Sequence, residues 1–127
     1  MSISVLIIDD SQTTRWFIEQ ALHAADPDVG TCHQASNGRE ALAILEQTWV
    51  DLIFLDLHMP EMNGRDLLRR IRANEMWHGI PVAVVTSERS DQTEFELSEM
   101  GATYYQKKPL TPEILRDILA ALKEMMP

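Results

Sequence analysis

The chain has 127 residues, of which 45% are hydrophobic and 24% are charged, and its formal net charge at pH 7 is −9. These values predict one globular domain with a sizeable core. The acidic balance argues against binding of nucleic acid through this domain, because no basic patch would neutralise phosphates. No apolar run has the length of a membrane span, so no membrane partner is expected.

The amino-terminal residues lack the basic segment of a signal peptide, and Asp9 and Asp10 interrupt the first apolar run. We therefore expect a cytoplasmic protein. Cys32 is the only cysteine, which excludes an internal disulfide. We interpret it as a small apolar residue in a strand.

Strand-like and helix-like stretches alternate from the start of the chain. Residues 5–8 predict the first strand, and Asp10 or Ser11 can cap the helix that follows. We expect the inward face of this helix to carry residues at helical spacing: Phe17, Ile18, Ala21 and Leu22. Residues 31–35 form a more polar run, which predicts a second strand at the sheet edge, and another helix follows it.

The most apolar run, residues 50–56, predicts a strand buried on both faces, as in a parallel sheet. A helix after Gly64, a fourth strand over residues 80–85 and a helix from about Asp91 to Met100 come next. Residues 103–107 predict a fifth strand, and a last helix begins with Pro at its first position. Its inward face is expected to carry Leu115, Ile118, Leu119, Leu122 and Met125.

The order strand then helix, repeated five times, predicts a parallel sheet with helices on both faces. Parallel strands need right-handed crossovers, and a helix is the usual crossover. We find no internal repeat and no linker, so we expect a single domain over residues 1–127. Trp49 and Trp77 precede the third and fourth strands, and we expect them to cover the ends of the sheet.

Polar side chains stand where the predicted strands end. Asp9 and Asp10 follow the first strand, Asp56 ends the third, Thr86 follows the fourth and Lys108 follows the fifth. Ligands of open α/β sheets bind beyond the carboxyl ends of the strands, so we expect these groups to converge there. Taken alone, Asp56 could equally well cap the turn after its strand.

Three clustered carboxylates raise one another's pKa and destabilise the fold unless a cation offsets their charge. A hard divalent cation such as Mg²⁺ fits, because it takes oxygen ligands and phosphate oxygens. A carboxylate beside Mg²⁺, a hydroxyl and a lysine indicates phosphoryl transfer, with Asp as the nucleophile.

With these residues the sequence resembles the receiver domain of bacterial two-component response regulators, over essentially its whole length. The matching motifs are Asp9-Asp10, Asp56 with Met59-Pro60 and Gly64, Thr86-Ser87, Gly101-Ala102, Tyr105 and Lys108-Pro109. The resemblance implies a doubly wound, five-stranded parallel sheet of flavodoxin-like order 2-1-3-4-5. It also implies a cis peptide bond between Lys108 and Pro109.

The resemblance implies a role for each site residue. Asp56 would be the phosphoacceptor, Thr86 would hydrogen-bond the phosphoryl group, and Lys108 would pair with it. Tyr105 would be the aromatic switch residue whose orientation follows Thr86. The Mg²⁺ ligands would be Asp9, Asp10, Asp56 and the backbone carbonyl of His58.

The implied function is a phosphorylation-dependent signalling switch. A sensor histidine kinase or a phosphotransfer protein would supply the phosphoryl group. The surface of the fourth helix, fifth strand and fifth helix would then change and control a protein target, with Phe95 or Tyr104 partly exposed as a binding anchor. Such a protein catalyses only its own phosphorylation and dephosphorylation, as a monomer or a phosphorylation-dependent dimer.

Two other functions agree less well with the sequence. An aspartate-nucleophile phosphatase of the haloacid dehalogenase type usually has a second acid where this chain has His58. It also usually carries a cap insertion, for which this chain has no room. A degenerate receiver, used only for binding, predicts loss of a site residue such as Asp10 or Thr86, and none is lost.

A stand-alone regulator and a receiver excised from a longer protein would have the same sequence features. His58 and Glu88 would either control the lifetime of the phosphoryl group or be solvated loop residues.

Overall fold

The computed structural model describes residues 2–59, 62–87 and 90–126. Strands and helices alternate through them, each strand followed by a helix. The elements are β1 (Ile3–Ile8), α1 (Gln12–Ala25), β2 (Val29–Ala35), α2 (Gly38–Gln47), β3 (Leu52–Asp56), α3 (Gly64–Ala73), β4 (Val82–Thr86), α4 (Asp91–Glu99), β5 (Tyr104–Lys107) and α5 (Pro112–Met125). The predicted order of elements is confirmed, with strand starts shifted by one or two residues.

The strands form one sheet in the order β2-β1-β3-β4-β5, and every neighbouring pair is parallel. This confirms the doubly wound fold and the edge position of β2. The central strand β3 is buried along its whole length, because helices cover both faces of the sheet. All five strands therefore end at the same edge, which we call the carboxyl edge.

Two hydrophobic cores lie on the two faces, because successive strand residues point to opposite sides. Ile53 and Leu55 of β3 pack in the core that also contains residues of α2 and α3. Leu52 and Phe54 pack in the core that contains residues of α1 and α5. None of the described helices has the length and apolar character needed to cross a bilayer.

Each helix begins with a small polar residue whose side chain accepts a hydrogen bond from the backbone N–H three residues later. These N-caps are Ser11, Asn37, Asn63, Ser90 and Thr111. Such bonds satisfy amide groups that the first helical turn leaves without partners. The cap of α1 is therefore Ser11, one of the two predicted candidates.

Three predictions about packing are wrong. Phe17 is 61% exposed, because the buried stripe of α1 is narrow and consists of Ile18 and Leu22. Met125, the last residue of α5, is 59% exposed and lies beyond Leu122, the last buried residue of that helix. Trp49 is 60% exposed and does not cover the end of the sheet, whereas Trp77 does pack against the core.

Candidate functional site

The carboxyl edge of the sheet holds all the polar side chains that are buried in the described part of the chain. They are Asp9, Asp56 and Thr86, with exposed fractions of 2%, 5% and 0%. Burial of polar groups destabilises a fold unless they are paired, so such a cluster is a functional signature. Asp9 directly follows β1, Asp56 ends β3 and Thr86 ends β4, as predicted from the sequence.

Lys108 brings a positive charge to this edge. Its Nζ lies 3.0 Å from Oδ2 of Asp9 and 3.5 Å from Oδ1 of Asp56. Its backbone N–H donates to the carbonyl of Thr86 at 2.7 Å, which holds the segment after β5 against the end of β4. The predicted cis peptide bond between Lys108 and Pro109 is confirmed.

At the site, the carboxylates outnumber the ammonium group of Lys108. Burial raises the pKa of Asp56, and the neighbouring charge of Asp9 raises it further, while Lys108 acts in the opposite direction. Burial by itself would lower the pKa of Lys108, but its hydrogen bond to Asp9 and the charge of Asp56 raise that pKa overall. The ammonium group of Lys108 thus faces two carboxylates, those of Asp9 and Asp56, and Asp10 adds a third carboxylate close by.

The three carboxylates are arranged as a cation site would need. Asp9, Asp10 and Asp56 each offer one oxygen, and these oxygens lie within 4.8 Å of one another. Asp10 is exposed, so the cluster is open to solvent on one side. Oxygen donors with excess negative charge suit a hard divalent cation such as Mg²⁺, and the donor set therefore fits the predicted cofactor.

Backbone contacts hold these carboxylates in place. The N–H of Ser11 donates to Oδ1 of Asp9 at 2.9 Å, and the N–H of His58 donates to Oδ1 of Asp56 at 3.3 Å. The imidazole of His58 is exposed. The proposed role of its carbonyl as a metal ligand stays a prediction.

Two further residues support the site and were not predicted from the sequence. Arg15, on α1, donates to the backbone carbonyl of Asp9 at 2.5 Å and to Oε1 of Gln34 at 3.0 Å. Gly64 packs so tightly that a Cβ there would lie 2.7 Å from the carbonyl oxygen of Asp56. The sequence predicts a motif and a helix start at Gly64, but nothing in its spacing indicates this close approach or the reach of Arg15.

The two predicted switch residues lie on neighbouring strands. Thr86 is paired in register with Lys107, and Tyr105 is paired with Val84. Tyr105 is partly buried against the core on the α3 and α4 side, whereas Tyr104 faces the other core. Pro60 of the matching motif and Glu88, the predicted partner of His58 in controlling phosphoryl lifetime, lie outside the described residues.

An apolar groove adjoins the site. It has a volume of about 500 Å³ and lies between α1 and the segment after β5, with Phe17, Ala21, Lys108, Leu110 and Pro112 among its lining residues. The exposed ring of Phe17 forms an edge-to-face pair with Trp16, at a centroid distance of 5.3 Å. Exposed aromatic side chains beside an apolar groove indicate a surface that contacts another molecule.

Comparisons with known proteins agree with this geometry. A family model described as the response regulator receiver domain matches residues 5–120. Chemotaxis protein CheY of Pseudomonas aeruginosa is 33% identical over 124 residues, which cover 96% of this chain and 97% of that protein. Chemotaxis protein CheY-3 of Vibrio cholerae is 31% identical over 125 residues, covering 98% of this chain and 95% of that protein.

A solved structure and a longer relative extend the comparison. The structure of the chemotaxis response regulator CheY4 of Vibrio cholerae superposes with a TM-score of 0.85 at 30% identity, over 96% of this chain and 99% of that one. The phosphate regulon transcriptional regulatory protein PhoB of Pseudomonas aeruginosa is 32% identical over 97% of this chain, but the match spans only 51% of PhoB. The fold, the motif order and the family match agree, and the chain belongs to the family of response regulator receiver domains.

Proposed function

We propose that this receiver domain is a phosphorylation-dependent switch in which Asp56 accepts the phosphoryl group. The observation that carries the proposal is the burial of Asp9, Asp56 and Thr86 together at one edge of the sheet, beside the ammonium group of Lys108. The family assignment favours this function over the phosphatase alternative. The presence of all the acidic, hydroxyl and lysine groups also argues against a degenerate receiver.

The chemistry needs one nucleophile and several charge-stabilising groups. A carboxylate oxygen of Asp56 attacks the phosphorus of a phosphohistidine, the new O–P bond forms, and the P–N bond breaks with its electron pair returning to the imidazole. Lys108 and the hydroxyl of Thr86 bind the oxygens of the transferred group. Asp9, Asp10, Asp56 and the carbonyl of His58 would hold Mg²⁺, and the bound ion would supply positive charge for the phosphoryl oxygens.

The donor must bring its phosphohistidine to Asp56, so it must contact the surface around the carboxyl edge. The apolar groove beside Lys108 is suited to this contact, since it adjoins the acceptor and exposes Phe17. We propose that a histidine kinase or phosphotransfer protein docks there.

The output surface is proposed to be α4, β5 and α5. Phe95 is 65% exposed and Tyr104 is partly exposed, as predicted for binding anchors. Binding of the phosphoryl group draws Thr86 towards the site and lets Tyr105 move inward. Phosphorylation then shifts an equilibrium between two states of this surface, because one state binds the phosphoryl group better.

The remaining parts of the proposal follow from this function. The chain acts on no outside substrate and catalyses only its own phosphorylation and dephosphorylation. We propose one receiver domain over residues 1–127, acting as a monomer or as a dimer formed on phosphorylation. A cytoplasmic location and the role of His58 with Glu88 in phosphoryl lifetime stay predictions.

The test is phosphorylation by acetyl phosphate with Mg²⁺, followed by intact-protein mass spectrometry. The wild type is expected to gain one phosphoryl group, and Asp56→Asn is expected to gain none, because an amide oxygen is a poor nucleophile. Asp51→Asn is the matched control, since Asp51 lies before the opposite end of the same strand. Phosphorylation of Asp56→Asn at the wild-type rate would show that the acceptor is another residue.

A further inference from the structure

The edge of the sheet opposite to the acidic site carries an exposed apolar surface that the proposed switch does not use. Trp49, in the loop before β3, is 60% exposed, and Met76, in the loop before β4, is 76% exposed. Together with Trp77 and the buried side chains of Leu45 and Ile80 they line a cavity of about 240 Å³. We call these five residues the amino-end surface. Met76 is the most exposed large hydrophobic side chain in the described residues.

The loop that carries Trp49 is held firmly in place. The indole N–H of Trp49 donates to Oδ1 of Asp51 at 3.1 Å, and Oδ2 of the same carboxylate accepts from the backbone N–H of Ser4 at 2.8 Å. The hydroxyl of Ser4 in turn donates to the carbonyl of Trp49 at 3.3 Å. The one polar group of the indole is therefore already paired, and burial of the ring by a partner would leave no donor unsatisfied.

The second loop is also ordered by local hydrogen bonds. The backbone N–H of Met76 donates to Oδ1 of Asn74 at 2.8 Å, and that of Trp77 donates to the carbonyl of Asn74 at 3.1 Å. Two loops with local hydrogen bonds thus present an indole and a thioether to one cavity. A preformed surface of this kind loses little conformational entropy when a partner binds.

The charges around the cavity indicate the chemistry of that partner. Residues 45–51 and 75–80 contain three carboxylates, Glu46, Asp51 and Glu75, and no Lys or Arg. Arg72 reaches the second loop, but its guanidinium donates to the carbonyls of His78 and Ile80. A second copy of this chain, with a net charge of −9, and an anionic membrane would both bring like charge, whereas Lys or Arg would be attracted.

The size of the cavity restricts the occupant further. At about 240 Å³ it is smaller than the usual range of small-molecule sites, roughly 300–1,000 Å³. It suits one large apolar side chain. We propose that the amino-end surface binds a protein segment in which one such side chain is flanked by Lys or Arg. Because the surface lies at the opposite edge from Asp56, this segment and a phosphodonor can bind at the same time.

The experiment uses short synthetic peptides as probes. One peptide carries a central Phe between lysines, a second has Ser in place of Phe, and a third has Glu in place of the lysines. Each is titrated into the ¹⁵N-labelled full chain at physiological salt and followed by NMR. The first peptide is expected to shift the amide signals of residues 45–51 and 75–80 and to bind more tightly than the other two.

Substitutions test whether the Phe peptide binds at the amino-end surface. Trp49→Ala with Met76→Ala is expected to weaken binding of the Phe peptide by roughly tenfold or more, the loss typical of an interface anchor. Trp16→Ala, which removes an exposed aromatic elsewhere, is the matched control and should leave binding unchanged. Glu46→Lys with Glu75→Lys is expected to reverse the preference in favour of the acidic peptide. Unchanged thermal unfolding would show that these surface variants are folded.

Several outcomes would overturn the proposal. Equal binding of the Phe and Ser peptides would mean that only charge attracts them, and shifts centred elsewhere would mean that another surface binds. Self-association in sedimentation velocity that Met76→Ala abolishes would make a second copy the occupant. Binding to anionic vesicles that depends on Trp49 would make a membrane the occupant.

Discussion

At the scale of single residues, the buried polar side chains of the described chain are concentrated at the site. Asp9, Asp56 and Thr86 are buried, although burial of carboxylates without full compensation lowers stability. Their positions could be predicted, because a polar residue at the end of an apolar run marks a strand end, and parallel strands end at one edge. The contact of Arg15 with the carbonyl of Asp9 could not, because it depends on where a long side chain reaches in the folded chain.

Gly64 provides a prediction at this scale. In Gly64→Ala the new Cβ would lie 2.7 Å from the carbonyl oxygen of Asp56 and 2.8 Å from Cα of Leu57. These are backbone atoms, so α3 must shift, and we expect a loss of about 1–3 kcal/mol in the free energy of unfolding measured in urea. Helix propensity alone would favour alanine by up to about 1 kcal/mol.

Gly79→Ala is the control, because no atom lies within 4 Å of the Cβ it would add. Its effect on the free energy of unfolding is expected to stay within about 0.5 kcal/mol. If Gly64→Ala is as stable as the wild type, the close approach of α3 to Asp56 is not a packing constraint.

At the scale of elements, apolar runs predicted β1, β3 and β4 well, because a strand buried on both faces needs nearly continuous apolar residues. Helical periodicity was less reliable for α1. Phe17 precedes the buried Ile18 by one position and points away from the core to the groove. A single sequence does not tell an aromatic on the edge of a buried stripe from one in a docking surface, since both have the same spacing.

Arg72, in the last turn of α3, links this helix to the segments that precede β4 and β5. Its guanidinium donates to the carbonyls of Gly101 at 2.9 Å and of Ile80 at 2.7 Å, and burial lowers its pKa. Arg72→Met keeps the aliphatic stem but leaves these carbonyls without their donor. We expect a loss of about 2 kcal/mol or more in stability and faster hydrogen exchange of amides in β5.

The control for this variant is Arg70→Met on the same helix, since Arg70 is exposed. It is expected to change stability by less than about 0.5 kcal/mol. Equal effects of the two substitutions would mean that the hydrogen bonds of Arg72 do not stabilise the fold and that only its charge matters.

At the scale of the whole molecule, the net charge of −9 and the three clustered carboxylates lead us to expect that stability depends on cations. Mg²⁺ that binds only the folded state stabilises it, by about 2.7 kcal/mol at a concentration of roughly 100 times Kd. We therefore expect Mg²⁺ to raise the Tm in calorimetry. NaCl at equal ionic strength controls for screening of surface charge.

Asp10→Asn tests the site of this effect. Removal of one carboxylate relieves like-charge repulsion, so the variant is expected to have a higher Tm than the wild type without Mg²⁺ and a smaller gain with it. A rise in the Tm of Asp10→Asn without Mg²⁺, together with no effect of Mg²⁺ on the wild type, would mean that the acidic cluster repels itself but binds no metal.

The ion pair between Lys108 and Asp9 joins residues that are 99 positions apart in the chain. β5, which leads to Lys108, is the last strand of the described sheet in chain order and lies at the edge of that sheet. A chain that emerges from the ribosome can therefore expose all of β1 to β4 while Lys108 is still inside the exit tunnel. Under the proposed function, such a chain presents the phosphoacceptor without its lysine partner. Competence to signal then arises only when the segment after the fifth strand has left the ribosome.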